Sequence, residues 1–209
     1  MVFVIVIFVC YLIGSIPSAV WIGKFVHGID IREHGSKNAG ATNTFRVFGK
    51  KSGSVVLFLD VAKGYLAASF PLLLSGMYLG FKDEVLILQL TASFCAIIGH
   101  VFPVFAHFRG GKGVASSLGI IIAVNPDTAF ICLTCFLLVF VIWKYVSLGA
   151  IVAAILFPFV SYFFMMEDAR IMIVFSVIIS LIVLMSHRKN IHRLVRGEEN
   201  KMNFLKRKA

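Results

Sequence analysis

Charge is scarce in this chain. Of 209 residues, only 14% are Asp, Glu, Lys or Arg, against about 25% in a typical soluble domain. That composition excludes a soluble globule. The alternating segments of about 10 residues that mark a transmembrane β-barrel are missing too. The apolar runs are continuous instead, as in "VLILQLTASFCAII" (85–98). No Cys/His cluster has zinc-ligand spacing, so no metal cofactor is expected. Of the four cysteines, Cys132 and Cys135 form C-x-x-C, but inside an apolar run with no βαβ context. They read as small packing residues. The first 13 residues carry no cation, so the basic start of a secretory signal is missing. The apolar run continues through Val20 to Ile22 and reads as a retained span. Internal repeats and low-complexity tracts are absent.

What is there is 59% hydrophobic. Apolar runs of about 20 residues recur, the mark of an all-α, polytopic membrane protein. Seven spans are predicted, at 2–23, 54–76, 85–105, 112–126, 128–144, 147–165 and 169–186. The connections are 24–53, 77–84, 106–111, 127, 145–146, 166–168 and 187–209. One membrane-embedded domain, 1–209, accounts for them. The net charge of +10 would suggest nucleic acid in a soluble protein. Here the cations sit in loops, and no nucleic acid is expected. Seven crossings put 17 cations on one side, from Lys24 to the basic tail, and only Lys82 and Arg170 on the other. Cytoplasmic loops carry the Lys/Arg excess. The N-terminus is therefore predicted outside and the C-terminus inside. The short fourth span must cross, or Lys144 and the tail would fall outside. Its serines then need helix partners. In the tail, Ile191, Leu194 and Val195 share one helical face among Arg188, Lys189, Arg193 and Arg196. That pattern suits an amphipathic helix on an anionic leaflet.

On this topology every polar cluster faces inside. "EHGSKNAGATNTFR" (33–46) lies in the first inner loop, "HFRGGKG" (107–113) in the second, "WKYVS" (143–147) at the third, and "HRKN" (187–190) opens the tail. Gly35, Gly40, Gly110, Gly111 and Gly113 let backbone N–H groups turn toward an anion. Arg46, Arg109 and Lys112 add charge. Ser36, Asn38, Thr42, Asn43, Ser147 and Asn190 add neutral hydrogen-bonding groups. That kit suits phosphate. "GGKG" is no nucleotide P-loop, since the Gly-x-x-x-x-Gly-Lys-Ser/Thr pattern fails. Asp60 and Lys63 share a face within the second span, either as a structural ion pair or as part of the site. His100 before Pro103 reads as a hydrogen-bonded packing residue. A transporter would show repeat symmetry and mid-membrane polar groups, and a scaffold would not need polar motifs on one face.

Five ordered motifs, "GSKNAGATN", "LDVAKG", "GHVFPVFAHFRGGKGVAS", "WKYVSL" and "HRKNIHRLVRGEE", resemble those of the acyl-phosphate:glycerol-3-phosphate acyltransferases of bacterial membranes, the PlsY-type family. The resemblance covers essentially the whole chain. It implies a seven-span enzyme of the cytoplasmic (inner) membrane, with its active site toward the cytoplasm. It implies transfer of a fatty acyl group from acyl phosphate to the 1-hydroxyl of glycerol 3-phosphate, the first acylation of phospholipid synthesis. The partners it implies are the two substrates, the lipid bilayer and the soluble enzyme that makes acyl phosphate. No cofactor is implied. Two positions depart from the family pattern. Lys37 replaces a usual glycine, and Arg109 a usual lysine.

Independently, none of the six histidines has Asp five positions later, so the His-x-x-x-x-Asp dyad of many glycerolipid acyltransferases is missing. A donor already reactive without the dyad, such as the mixed anhydride acyl phosphate, fits. Candidate catalytic residues are Ser36, Lys112, His187 and Asn190. Candidate substrate-binding residues are Gly35, Asn38, Gly40, Thr42, Asn43, Arg46, Gly110, Gly111, Gly113 and Ser147. Lys37, Asp60, Lys63, Arg109 and Lys144 are further candidates. Ser36 and Ser147 read as hydrogen-bond donors, not nucleophiles. Either His187 or the donor's own phosphate takes the hydroxyl proton.

Overall fold

A computed structural model describes residues 2–78, 82–164 and 169–202. Among them there are helices and turns but no strand. The chain divides into two compact units, Met1–Asn125 and Pro126–Ala209.

The first unit holds α1 (Val2–Ser15), α2 (Ser18–His27), α3 (Ala41–Phe48), α4 (Lys50–Tyr78), α5 (Lys82–Val101) and α6 (Val114–Val124). The predicted first span, 2–23, is broken at Ile16 and Pro17. Proline has no N–H to continue the helix ladder. α1 and α2 still make one apolar segment of 26 residues, Val2–His27. The predicted connection 24–53 is not plain loop. It contains a 3₁₀ turn at Ile31–Glu33 and the helix α3, and α4 already starts at Lys50. A 29-residue helix outlasts its apolar stretch, because Lys50 and Lys51 extend it into a polar region. Another 3₁₀ turn occupies Val104–Ala106.

Glycines let these helices touch backbone to backbone. A Cβ on Gly64 of α4 would strike the Ser116 carbonyl of α6, and one on Gly119 of α6 would strike the Val61 carbonyl of α4. Gly14 of α1 and Gly99 of α5 make the same reciprocal approach against Ala96 and Tyr11. Apolar lipid gives helices no hydrophobic reason to associate, so small residues that allow close packing carry the contact. The predicted fourth span, 112–126, is a shorter helix. Gly113 enters it with φ +83, and Asn125 ends it ahead of Pro126. Its 11 residues rise about 16 Å, against a hydrocarbon core of about 30 Å.

The second unit holds α7 (Pro126–Trp143), α8 (Val146–Phe164), α9 (Ala169–Ser186) and α10 (Arg188–Val195). Pro126 occupies the first position of α7, where a missing N–H costs nothing. Ser180 of α9 donates to the Ala154 carbonyl of α8 at 2.6 Å. The predicted loop at 77–84 falls partly, and that at 166–168 wholly, outside the described residues.

Among the described residues, five segments are long and apolar enough to cross a membrane: Val2–His27, Lys50–Leu74, Glu84–Ala106, Pro126–Trp143 and Val146–Phe163. Arg170–Ser186 with Arg188–Val195, bent by 62°, makes a sixth if taken as one span. The helix expected around Ile191, Leu194 and Val195 in the tail is present as α10. α10 stops at Val195, Gly197 turns with φ +72, and the chain folds back. The Met202 N–H reaches the Lys144 carbonyl at 2.8 Å.

Candidate active site

In the first unit the polar loop 29–49 is built around two side chains. Arg32 grips Asp30 through one guanidinium edge, Nε to Oδ1 at 2.9 Å and Nη2 to Oδ2 at 2.7 Å. The bond from Arg32 holds the Asp30 carboxyl well below the usual carboxylate range, against the opposing effect of burial. Lys24 adds its charge at 3.5 Å. The remaining guanidinium nitrogen of Arg32 donates to the Ala106 carbonyl at 2.7 Å. That bond ties the first polar loop to the second.

The other organiser is Asn43, only 1% exposed. Its Nδ2 lies 3.0–3.2 Å from the carbonyls of Ile31, His34 and Asn38. Its Oδ1 accepts the Ser36 N–H at 2.8 Å. The carboxamide thus ties four backbone groups of the loop together. Gly35, φ +59, sits on Asn43 so closely that a Cβ would overlap Oδ1. Ser36 and Lys37 are exposed on this frame, and Lys37 takes φ +59. Gly40 caps α3, which carries Thr42 and Arg46, both half-buried.

The second polar loop follows α5. Gly110 and Gly111 do not form the open anion nest expected of them. Their N–H groups donate to the carbonyls of Val101 and His100, at 3.2 and 3.1 Å. They are glycines because the loop folds back hard on α5. A Cβ on Gly110 would meet the His100 carbonyl, and one on Gly111 the His100 ring. Gly111 is also held near the first loop, where a Cβ would stand 3.2 Å from the Ala39 carbonyl. Lys112 is half-buried and Arg109 exposed. Below the loop, Asp60 and Lys63 form an ion pair at 2.8 Å with both side chains at least 94% buried. Lys63 also donates to the Ile16 carbonyl at the break in the first span, and Ser18 donates to Asp60.

In the second unit a carboxylate absent from the sequence-based candidates gathers the polar groups. Glu199 Oε1 accepts from Ser147 Oγ at 3.0 Å and Asn190 Nδ2 at 2.9 Å. Its Oε2 accepts from Arg193 Nε at 2.8 Å. Burial pushes the Glu199 carboxyl up, but these three donors outweigh it and leave it below the ordinary value. His187 is buried, with Nδ1 2.8 Å from the Val183 carbonyl. A carbonyl only accepts, so Nδ1 carries the proton, and Nε2 is the nitrogen of the neutral ring able to take another. Lys144, φ +64, is exposed at the turn into α8. Sequence offered one sign of these missed organisers, namely the few acids, Asp30 and Glu199 with their neighbours Glu33 and Glu198, among cations.

The family model for glycerol-3-phosphate acyltransferase matches residues 4–197. The chain belongs to the glycerol-3-phosphate acyltransferase family. It is 44% identical to a glycerol-3-phosphate acyltransferase of Fusobacterium nucleatum, over 98% of this chain and all of that one. It is 42% identical to one of Staphylococcus aureus, with the same coverage. It resembles the crystal structure of PlsY, an integral membrane glycerol 3-phosphate acyltransferase, in its glycerol 3-phosphate form. The TM-score is 0.84 and the identity 33%, over 98% of both chains. The lysophosphatidic acid form of PlsY gives 0.80 at 32%, over 98% of this chain and 97% of that one. Membership makes this a multi-pass acyltransferase.

Proposed function

We propose that the chain transfers a fatty acyl group from acyl phosphate to the 1-hydroxyl of glycerol 3-phosphate, releasing lysophosphatidic acid and phosphate. One observation carries this reading. Arg32 on Ala106 and Gly111 beside Ala39 bring the "GSKNAGATN" and "GGKG" loops together in the first unit. We read Ser36, Thr42, Arg46 and Lys112 as the phosphate-binding groups that these two loops carry. Two phosphates in one reaction repel each other, and fixed cations offset that repulsion in the transition state. Holding hydroxyl against carbonyl supplies further rate. The hydroxyl attacks the carbonyl carbon, the C–O bond to phosphate breaks, and phosphate leaves. No covalent enzyme intermediate is required. The hydroxyl proton goes to His187 Nε2 or to the donor phosphate. Within the second unit, Glu199 arranges Asn190 and Ser147. On this reading the whole chain acts as one functional domain.

We place the N-terminus outside, the C-terminus inside, and the polar loops toward the cytoplasm of a bacterial inner membrane. Seven crossings are required, α6 being the short one, because the 17-to-2 cation split survives only if α6 crosses. The soluble producer of acyl phosphate is then a partner on the same side. The deciding assay is product formation by purified protein. Acyl phosphate should support turnover, while acyl-CoA should support almost none, because the chain has no His-x-x-x-x-Asp dyad to activate the acceptor. Comparable turnover with both donors rejects the donor assignment.

A further inference from the structure

His100 uses every part of itself on the second polar loop or on the buried network behind it. Its carbonyl accepts the Gly111 N–H at 3.1 Å. The Nε2 edge of its ring lies where a Cβ of Gly111 would be. On the other edge, Nδ1 stands 3.1 Å from Ser116 Oγ, in the first turn of α6. The same Nδ1 is 3.9 Å from Asp60 Oδ1, the oxygen that binds Lys63 and Ser18. Lys63 in turn holds the Ile16 carbonyl. The ring is 5% exposed. A packing residue needs none of these polar contacts, and a buried imidazole whose nitrogens lose partners is costly.

We propose that His100 is a positioning residue for the loop that binds substrate phosphate. Its ring and its carbonyl clamp Gly111 from inside the bundle and so set where Lys112 stands. The space that a Cβ on Gly111 would fill is taken by the His100 ring, with the Ala39 carbonyl next to it. The register of the two polar loops therefore depends on the imidazole. The buried Asp60–Lys63 pair and Ser116 keep the ring from turning. This rests on the reading that Lys112 binds a substrate phosphate.

The test is steady-state kinetics on the full chain in detergent, varying each phosphorylated substrate in turn. Lys112→Arg identifies the substrate whose KM depends on this loop. His100→Asn keeps a polar group near Nδ1 but lacks the far ring edge. It should raise the KM of that same substrate about tenfold or more, a loss of binding rather than of chemistry. The KM of the other substrate should stay within about twofold. Gly111→Ala should show the same signature from the other side of the contact, and it reads the clamp even if His100→Asn folds poorly. Combined, the two changes should cost clearly less than the product of their separate effects, because the shorter side chain leaves room for the new methyl. Strict multiplicativity overturns the clamp. So does a loss in His100→Asn that falls on both substrates and tracks loss of folded protein, or a normal KM in both His100→Asn and Gly111→Ala beside an impaired Lys112→Arg. Near-normal turnover by Lys112→Ala is a different failure, since it removes the phosphate role of the loop itself and the proposal with it.

Discussion

Glu199 should hold the second polar cluster together, and the structure sets the size of the effect. Its side chain is 7% exposed and accepts three hydrogen bonds. The bond from Arg193 is worth no more than about 1 kcal/mol, since that side chain is one-third exposed and screened. Bonds from Ser147 and Asn190 to a buried carboxylate are worth about 1.5–3 kcal/mol each. Glu199→Gln keeps one oxygen for those two donors, but neutral bonds are roughly half as strong. Its new NH2 group also faces another donor at Arg193. The expected loss is about 2–4 kcal/mol, a change of about 30- to 1,000-fold in the folding equilibrium. Glu199→Ala should lose more, because it leaves the buried Asn190 amide without this acceptor. The measurement is thermal unfolding of detergent-purified protein together with the half-life of activity. The pH dependence has a defined sign. Because the folded carboxyl titrates below its ordinary value, its contribution is complete above about pH 4.3. It is lost as pH falls through the lowered folded value. Glu199→Gln should flatten that part of the stability profile. A glutamine variant as stable as the parent, with an unchanged acid limb, would refute the reasoning.

Gly119→Ala should destabilise the first unit by about 1–3 kcal/mol, the range for overpacking, because its methyl would enter the Val61 carbonyl of α4; a thermal scan that does not move contradicts the close approach. Lys37→Gly should stabilise the first loop by up to about 1 kcal/mol, since left-handed backbone costs a side-chain-bearing residue about 1–2 kcal/mol and glycine returns part of that as entropy. Its turnover should match or exceed the parent's, and a large drop would instead give the lysine charge a direct role. Asn43→Asp keeps the shape but turns an acceptor toward the carbonyls of Ile31, His34 and Asn38. It should be worse than Asn43→Ala in both stability and activity, and the reverse order would mean that the Nδ2 bonds carry little.

Much was legible in the chain itself. Long apolar runs and scarce charge led to helices, with boundaries that agree to within a few residues at α5, α7, α8 and α9. The motifs led to the family. Local spacing also predicted the Asp60–Lys63 pair, because i, i+3 on a helix is a local relation. The break at Pro17 is a local signal as well, but the continuous hydrophobicity on both sides masked it. α3 was missed for the same kind of reason. Its polar face and glycine-rich approach look like loop until the fold covers one side.

Which contacts the candidate residues make was decided by tertiary structure. Gly110 and Gly111 look like free anion donors in sequence. Their amides are in fact taken by carbonyls at the end of α5. Asn43 looks like a ligand group, yet it is buried and spent on its own loop. Ser147 and Glu199 are 52 residues apart and share a hydrogen bond, and Arg32 reaches Ala106 across 74 residues. Burial preferences and helix periods are properties of neighbouring residues, so a single sequence carries them openly. Which donor meets which acceptor depends on how helices pack at glycine contacts and where loops fold back. Only the assembled backbone sets those distances.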